Sequence, residues 1–375
     1  MGQSPPGDSY NTKGDGLPFM QGSAEFGVRT PTPAKWCSAP AKIAEVGDLL
    51  VSVRAPVGDT NFADQRIAIG RGLAIIRAKS ETLNEYLRLV IQDRTSELLA
   101  FSGSGMFSSI TAANLRAFSF PLPPLPVQHR IVDLMTHLDS HIANLQMEFE
   151  TSQELMECVL VGLMTSSSSK RVPFAEAVDF KEGPGIMARD FHSEGVPLVR
   201  LAGVKPGANI LQGCNYLDPA LVEKKWSHFR LVEGDVILST SASLGEVARV
   251  SVEGAGAIPY TGLIRMRANQ DFLGQDFLPW VLRSRDFANQ VKEAGVGSTM
   301  SHFGPSHLKQ MTLSLPPLTD QTKIQEIAES WETTNALRRL ELERARQARA
   351  QLLSELLSRN LVLPESYDDV VKQVA

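Results

Sequence analysis

The residues of this chain that could do chemistry are few and scattered. His137 and His141 stand four apart on a predicted helix, a spacing that can clasp a metal ion, but no third ligand lies nearby in sequence. The pair therefore reads as a solvated helix face. Cys37, Cys158 and Cys214 are far apart and odd in number, which forms neither a zinc knuckle nor a disulfide framework. Asp48 and Asp235 recur in Gly-Asp pairs, each at the entry to an apolar run, where Gly-Asp is turn chemistry. A Gly-x-x-x-x-Gly-Lys-[Ser/Thr] phosphate loop and a Gly-x-Ser-x-Gly nucleophile elbow are both missing from the sequence. No Gly-rich turn after a strand is present to hold a dinucleotide or S-adenosylmethionine. In 375 residues, enough for two or three domains with real cores, so little catalytic apparatus points away from an enzyme.

The elements that would position any site are written twice. "GLPFMQGSAEF" (16–26) parallels "GVPLVRLAGV" (195–204), and "VGDLLVSVRAPVGDTNFADQRIAIGRGLAIIRA" (46–78) parallels "EGDVILSTSASLGEVARVSVEGAGAIPYTGLIRMRA" (233–268). "SFPLPPLPVQ" ends at Gln128 and "LSLPPLTDQ" at Gln321, 193 residues later. The short β-branched runs bounded by Gly, Pro and Asp predict strands. A helix is expected after each set, over Leu83–Ala100 and Phe277–Ala294, with a Gly/Ser-rich loop beyond it (102–111 and 295–304). Each Pro-Pro then launches a long helix, since proline is tolerated in a first turn but not inside. In the first, Ile131, Met135, Leu138, Ile142, Leu145, Phe149, Ser152, Met156, Val159 and Leu163 form a heptad seam. In the second, Ile324, Ala328, Trp331, Asn335, Arg338, Leu342, Ala345, Arg349, Leu352 and Leu356 match it. There either the two arginines snorkel, or the seam shifts through Leu337 and Leu340. Two such helices in one chain can pack antiparallel. The fold class expected is α+β: two β-rich heads separated by two long antiparallel coiled-coil helices, a pseudo-twofold repeat. The segments are 1–121 (first head), 122–165 (first helix), 166–314 (second head), 315–361 (second helix) and 362–375 (tail).

The net charge of −5 is unevenly spread. Residues 1–121 carry 12 Lys+Arg and 11 Asp+Glu, and residues 170–314 carry 16 and 15, whereas residues 122–169 carry 1 and 6. The acid lies in the helical segments, so the balanced heads remain open to specific DNA contacts while a general polyanion-coating role is excluded. No apolar run approaches a membrane span, no signal-peptide core opens the sequence, and Pro6 stands where a myristoylation signal needs Ser or Thr. A cytoplasmic protein is expected.

The stretches "MGQSPPGDSYNTKGDGLPFMQG", "VGDLLVSVRAPVGDTN" and "LPPLPVQHRIVDLMTHLDSHI", with "VEGDVILSTSASLGE" and "LPPLTDQTKIQEIAE" in the second copy, resemble the specificity subunit of type I restriction–modification systems over nearly the whole chain. The resemblance implies that each head is a target recognition domain reading one half of a bipartite double-stranded DNA sequence. It implies that the long helices act as a ruler and dock methyltransferase subunits, with an endonuclease/translocase subunit joining for restriction. S-adenosylmethionine is then expected in the methyltransferase partner, with no cofactor in this chain. The 37 residues from Gln128 to Met164 span roughly 55 Å at ~1.5 Å per residue, which is roughly 16 base pairs.

Base readout needs Arg, Lys, Asn, Gln or Ser/Thr on exposed loops, and phosphate contacts need Lys or Arg. The candidates are Gln21, Ser23, Lys35, Arg54, Asn61 and Arg66 in the first head, and Arg200, Lys205, Lys224, Lys225, Ser241 and Arg249 in the second. The Gly/Ser loops add Ser108, Ser109, Ser301 and His302. Gln128 and Gln321 either cap the head–helix joint or contact the methyltransferase partner. The two heads differ at their start. Aligning Pro18 with Pro197 sets Met1 opposite Phe180, so the first head has no counterpart of Arg171–Asp179. Either the chain starts upstream or another strand fills the gap, and Leu361–Val370 is expected to fold back against that head. Two other readings compete: a fragment of a methyltransferase–specificity fusion, and a coiled-coil adaptor whose heads bind protein.

Overall fold

The computed structural model describes residues 1–100, 109–166, 168–240, 244–295 and 303–369. The first head contributes β1 (Tyr10–Asn11), β2 (Leu17–Met20), β3 (Lys35–Cys37), β4 (Ile43–Ala44), β5 (Leu49–Ser52), β6 (Thr60–Phe62), β7 (Ile67–Ile69) and β8 (Leu73–Ile76). Helices α1 (Asn84–Asp93), α2 (Thr95–Ala100) and α3 (Ala112–Ala117) come next, then the long α4 (Leu125–Met164). The second head runs through β9 (Lys170–Pro173), α5 (Phe174–Ala177), β10 (Val178–Glu182), β11 (Val196–Val199), β12 (Asn215–Leu217), α6 (Pro219–Lys225), β13 (Val236–Ser239), β14 (Val247–Arg249), β15 (Ile258–Pro259) and β16 (Leu263–Ala268). It closes with α7 (Leu278–Arg283), α8 (Arg285–Gly295), α9 (Pro305–Leu308) and β17 (Thr312–Leu315), before the long α10 (Leu318–Leu357). The chain forms two compact units, residues 1–147 with 339–375, and residues 148–338.

In the first unit, one sheet has the order β1-β3-β2-β7-β4, with β2 and β7 parallel and the other pairs antiparallel. A second has the order β6-β5-β8. The run "LLVS" of β5 is buried on both faces, because one side packs under Leu87, Ile91 and Leu98 while the other meets Met20 and Ile67. The helix expected over Leu83–Ala100 breaks at Arg94, whose φ of −103° and ψ of 24° leave the helical region before Thr95 restarts the turn. In the second unit the order β14-β13-β16-β10 extends the equivalent of β6-β5-β8 by one strand, and β17 pairs with β9. The helix expected over Phe277–Ala294 is likewise divided at Ser284 (φ −65°, ψ 150°), whose Oγ accepts from the Phe287 amide 3.3 Å away as an N-cap.

The Gly-Asp pairs are turns in both heads. Gly47 and Gly234 adopt φ of +85° and +82°, the left-handed region that glycine enters without steric cost. Asp48 then accepts the Glu45 amide and Asp235 the Val232 amide, each at 2.8 Å.

The long helices pair antiparallel within each unit. In the first, Ile131 and Met135 near the start of α4 pack on Leu353, Leu356 and Leu357 near the end of α10. Arg349 grips Asp139 with two hydrogen bonds of 2.8 and 3.0 Å, and Arg346 donates to Gln146 at 2.8 Å. In the second, Met156 and Met164 share a core with Ile324 and Ala328, while Trp331 Nε1 and Arg338 both donate to Ser152 Oγ. Arg338 and Arg349 thus stay on the seam and reach polar partners, and Leu337 and Leu340 point outward at 63% and 41% exposure. In α4 the seam departs from the expected heptads at Val159, which is exposed. Leu163 keeps its expected place, and Leu160 and Met164 join it on the core of the second head. Met156, Leu160, Leu163 and Met164, spaced by fours and threes, form a wider apolar face than a two-position seam, which suits packing on a globular head.

The tail folds back within the first unit, onto the first turns of α4. Leu363 joins the α4–α10 cluster, Arg130 binds Asp368 at 2.8 and 2.9 Å, and the Tyr367 hydroxyl donates to Asp133 at 2.9 Å. Burial and that carboxylate push the Tyr367 hydroxyl up to about 12. Among the described residues the tail adds no strand to β8, which ends its sheet.

Candidate nucleic-acid interface

The first head gathers its polar loops where the parallel strands β2 and β7 end together. Gln21 follows β2 and Gly70 follows β7. The Gly70 amide donates to Met20 O at 2.7 Å and the Gly72 amide to Gln21 O at 3.0 Å, locking the two exits side by side. The turn after β5 meets them there. Ser52 Oγ donates to Arg54 O at 2.8 Å, and Arg54 bridges across to Ser109, whose neighbour Ile110 donates to Val53 O at 2.9 Å. The result is an open cleft of about 540 Å³ lined by Gln21, Ser23, Glu25, Ser52, Arg54, Asp59 and Arg71. Arg54 and Arg71 are exposed and form no ion pair among the described residues. Two unpaired guanidiniums beside hydroxyl and amide donors match what phosphates and guanine edges require.

The structure therefore brings together Gln21, Ser23, Arg54 and Ser109 from the sequence set and adds Arg71. The signal for Arg71 was its place in "IGRGLA", a cation between two glycines at a strand exit. Lys35 is exposed on β3 opposite Phe19, at the same end of the sheet but outside the cleft lining. Two candidates are corrected. Asn61 is 1% exposed, with Nδ2 donating to Gly27 O at 2.9 Å, because its position on β6 turns it inward. Arg66 precedes β7, at the opposite end from the cleft, and is held by Glu45 at 3.3 Å.

The second head repeats the scaffold with different side chains. β11 and β15 are parallel, the Tyr260 amide donates to Val199 O at 3.1 Å, and Arg200 follows β11 as Gln21 follows β2. The Arg200 guanidinium lies 4.3 Å from the Tyr260 ring centroid and 5.5 Å from that of Phe191, and donates to Asn215 Oδ1 at 2.8 Å. It is thus pre-oriented rather than mobile. Lys205 is exposed just past the 3-10 turn Leu201–Val204, and Lys224 and Lys225 end α6, with Lys225 6.0 Å from the Trp226 ring. Phe191, Trp226, Phe229 and Tyr260 pack against one small core, so aromatic faces and cations share a region. Lys181, over the Phe229 ring at 4.5 Å, belongs to it and was not among the candidates. Arg249 is corrected: it pairs with Asp276 at the end of the β13–β14 hairpin farthest from the turn after Ser239. Ser108, Ser241, Ser301 and His302 lie outside the described residues.

Gln128 and Gln321 are corrected as partner contacts. They are 0% and 2% exposed. The Gln128 amide accepts from Leu83 N at 2.9 Å and donates to Glu81 O and Pro123 O at 2.9 and 2.8 Å. Gln321 does the same with Gly274 N, Phe272 O and Pro316 O at 2.9, 2.8 and 2.9 Å. Both amide hydrogens are used internally, which leaves none for another subunit.

The sequence profile described as "Type I restriction modification DNA specificity domain" matches residues 38–151 and 219–345. The putative type I restriction enzyme MjaX specificity subunit of Methanocaldococcus jannaschii is 37% identical over 166 residues, 44% of this chain and 39% of that protein. The MjaVIII specificity subunit of the same organism is 21% identical over 259 residues, 64% of this chain and 61% of that protein. These matches span less than two thirds of either relative's own length. A solved chain from a type I R-M system, described for its complex assembly and conformational transition, shares the fold at a TM-score of 0.65 and 16% identity, covering 91% of both chains.

Proposed function

This chain belongs to the type I restriction modification DNA specificity family, and from that premise we propose that it selects the DNA target of a type I restriction–modification complex. Each head reads one half of a bipartite duplex sequence, and the antiparallel helices set the spacer and carry the methyltransferase subunits. The chain performs no chemistry. Methyl transfer from S-adenosylmethionine belongs to the methyltransferase partner and cleavage to the endonuclease/translocase partner.

The observation that carries this reading is the duplicated strand exit with unlike side chains. One scaffold presents Gln21, Arg54 and Arg71 in the first head, and Arg200 braced on Tyr260 in the second. A shared frame with different donors suits two different half-sites, because donor geometry discriminates bases while the frame only places it.

Co-expression with a cognate methyltransferase subunit, and then genome-wide mapping of adenine methylation, is expected to show a split motif of fixed spacer. Methylation unchanged by this chain overturns the reading. One heptad inserted in each long helix is expected to lengthen that spacer with both half-sites retained. In the same complex Arg54→Ala with Arg71→Ala is expected to weaken binding to the cognate duplex by roughly 10- to 100-fold, or about 1–3 kcal/mol. The loss should fall on the first half-site and leave the second unchanged in a competition series. Equal loss of specificity at both half-sites would remove the assignment of this cleft.

A further inference from the structure

The exits of the parallel strands carry a matched pair of residues that changes between the heads. In the first head Gly70, after β7, faces Gln21, after β2. A Cβ on Gly70 would collide with the Gln21 side-chain amide, so a larger residue there excludes that arrangement. In the second head Tyr260 stands at the place of Gly70 and Arg200 at the place of Gln21. The Tyr260 amide donates to Val199 O, as the Gly70 amide donates to Met20 O. The ring is compatible with an arginine long enough to extend over it, and the guanidinium carbon lies 4.3 Å from the ring centroid.

The guanidinium is held from three sides. Tyr260 is itself anchored, since its hydroxyl donates to Ile186 O at 3.2 Å and Phe191 meets its ring edge-on with centroids 6.1 Å apart. Phe191 lies 5.5 Å from the Arg200 guanidinium. Nη1 donates to Oδ1 of Asn215, on β12, at 2.8 Å. Among the described residues no carboxylate pairs with Arg200, and its Nε and Nη2 have no acceptor. That edge of the fork is fixed in direction and open.

We infer that Arg200 reads a guanine of the DNA target through N7 and O6, with Asn215 and Tyr260 as positioning residues. This rests on the DNA-selecting role proposed above. Two parallel N–H groups match the paired acceptors that guanine shows in the major groove, and no other base offers that pair there. A phosphate also accepts two such bonds, but it carries no sequence information and does not need a fork held in one direction. Fixing the fork in advance lowers the rotamer entropy lost on contact and disfavours bases whose acceptors lie elsewhere.

The test co-expresses the chain with a cognate methyltransferase subunit and maps the methylated motif. Duplexes then carry 7-deazaguanine, which keeps base pairing but lacks N7, at each guanine of the motif in turn. The parent complex is expected to lose about tenfold in affinity at a guanine whose replacement costs the Arg200→Lys complex nothing. Arg200→Lys keeps the charge without the fork, so it should also accept other bases at that position in the methylation map. Asn215→Leu should reduce discrimination at the same guanine several-fold, and Asn215→Asp, which keeps the acceptor, should restore it. Discrimination unchanged in Asn215→Leu overturns the positioning role. An Arg200→Lys complex that discriminates as the parent does marks a phosphate contact and overturns the inference. So does a motif in which no guanine responds to loss of N7, a result read on the parent complex that needs no variant to fold. A methylation map without a motif is a different result: it overturns the DNA-selecting reading, and this inference with it.

Discussion

Gln128→Ala and Gln321→Ala are each expected to destabilise the unit that holds the residue by about 3 kcal/mol, a large share of a domain's stability. Each side chain makes three hydrogen bonds, two to the segment preceding a head helix and one to the carbonyl of the proline five residues before it. Truncation leaves an amide and two carbonyls without partners at a buried joint. An unsatisfied buried group costs about 1–3 kcal/mol, and partial access of water at Glu81 and Phe272 keeps the sum below three times that. Gln128→Glu offers no rescue, because it retains the acceptor for Leu83 but sets a carboxylate against two carbonyl oxygens. Urea unfolding read by amide exchange in α1 for Gln128 and α7 for Gln321 distinguishes the units. A loss under about 1 kcal/mol, or one that spreads equally to the other unit, would show that the joint does not depend on this amide.

The same glutamine shows what a sequence yields and what it withholds. The motif Leu-Pro-Pro-Leu-x-x-Gln marks the start of α4 and α10, because proline restricts where a helix can begin and the apolar period beyond it declares the helix itself. The sequence left the Gln a choice between capping the joint and contacting a partner, since two of its three hydrogen-bond partners lie 45 to 49 residues upstream, beyond any local pattern. The strands β5, β8 and β13 were legible as continuous apolar runs, which is how buried strands read, while β16 was legible from its apolar start and from its match to β8 despite Arg265 and Arg267. β1, β4 and β15 were not, because two residues carry no period. The breaks at Arg94 and Ser284 were missed for a related reason: apolar spacing continues through them, and the interruption is in the backbone.

In the candidate interface, residue type was legible and direction was not. Gln21, Ser23, Arg54 and Ser109 converge because β2, β7 and β5 end at one place, a consequence of the parallel crossover between β2 and β7. Asn61 has the right chemistry, but on a three-residue strand a single step of register turns a side chain from solvent to core. Arg66 and Arg249 lie at the opposite ends of their strands and are held by Glu45 and Asp276. Arg71 needed the tertiary fold to bring the exit of β7 beside the turn after β5. The cation–aromatic arrangement of the second head needed it as well, since Phe191, Arg200 and Tyr260 are distant in sequence.

Asp48→Asn is expected to cost the first unit about 2 kcal/mol at pH 7, and Asp235→Asn a similar amount in the second unit. Asp48 is buried at the start of β5, where it accepts the Glu45 amide at 2.8 Å and two hydrogen bonds from Arg77, both at 2.6 Å. Asp235 repeats this with Val232 and Arg267. Burial alone pushes the Asp48 carboxyl up, but the Arg77 hydrogen bonds and the Glu45 amide outweigh it, so the carboxyl sits below its ordinary 3.8. A folded-state value below the unfolded one means that protons favour the unfolded chain. The stabilisation is therefore complete above the ordinary carboxylate range and is lost as pH falls through the depressed folded value. Asparagine keeps the shape, loses the charge and turns an amide toward the Arg77 donors. The difference between the parent chain and Asp48→Asn should hold constant from pH 7 to about 5 and close progressively below about 4. Stability measured by denaturant unfolding across that range checks both the size and the direction. A gap that persists unchanged at pH 2.5 would mean that the carboxylate acts by shape rather than by charge, and that the Gly-Asp turn does not use Arg77 to hold β5 in place.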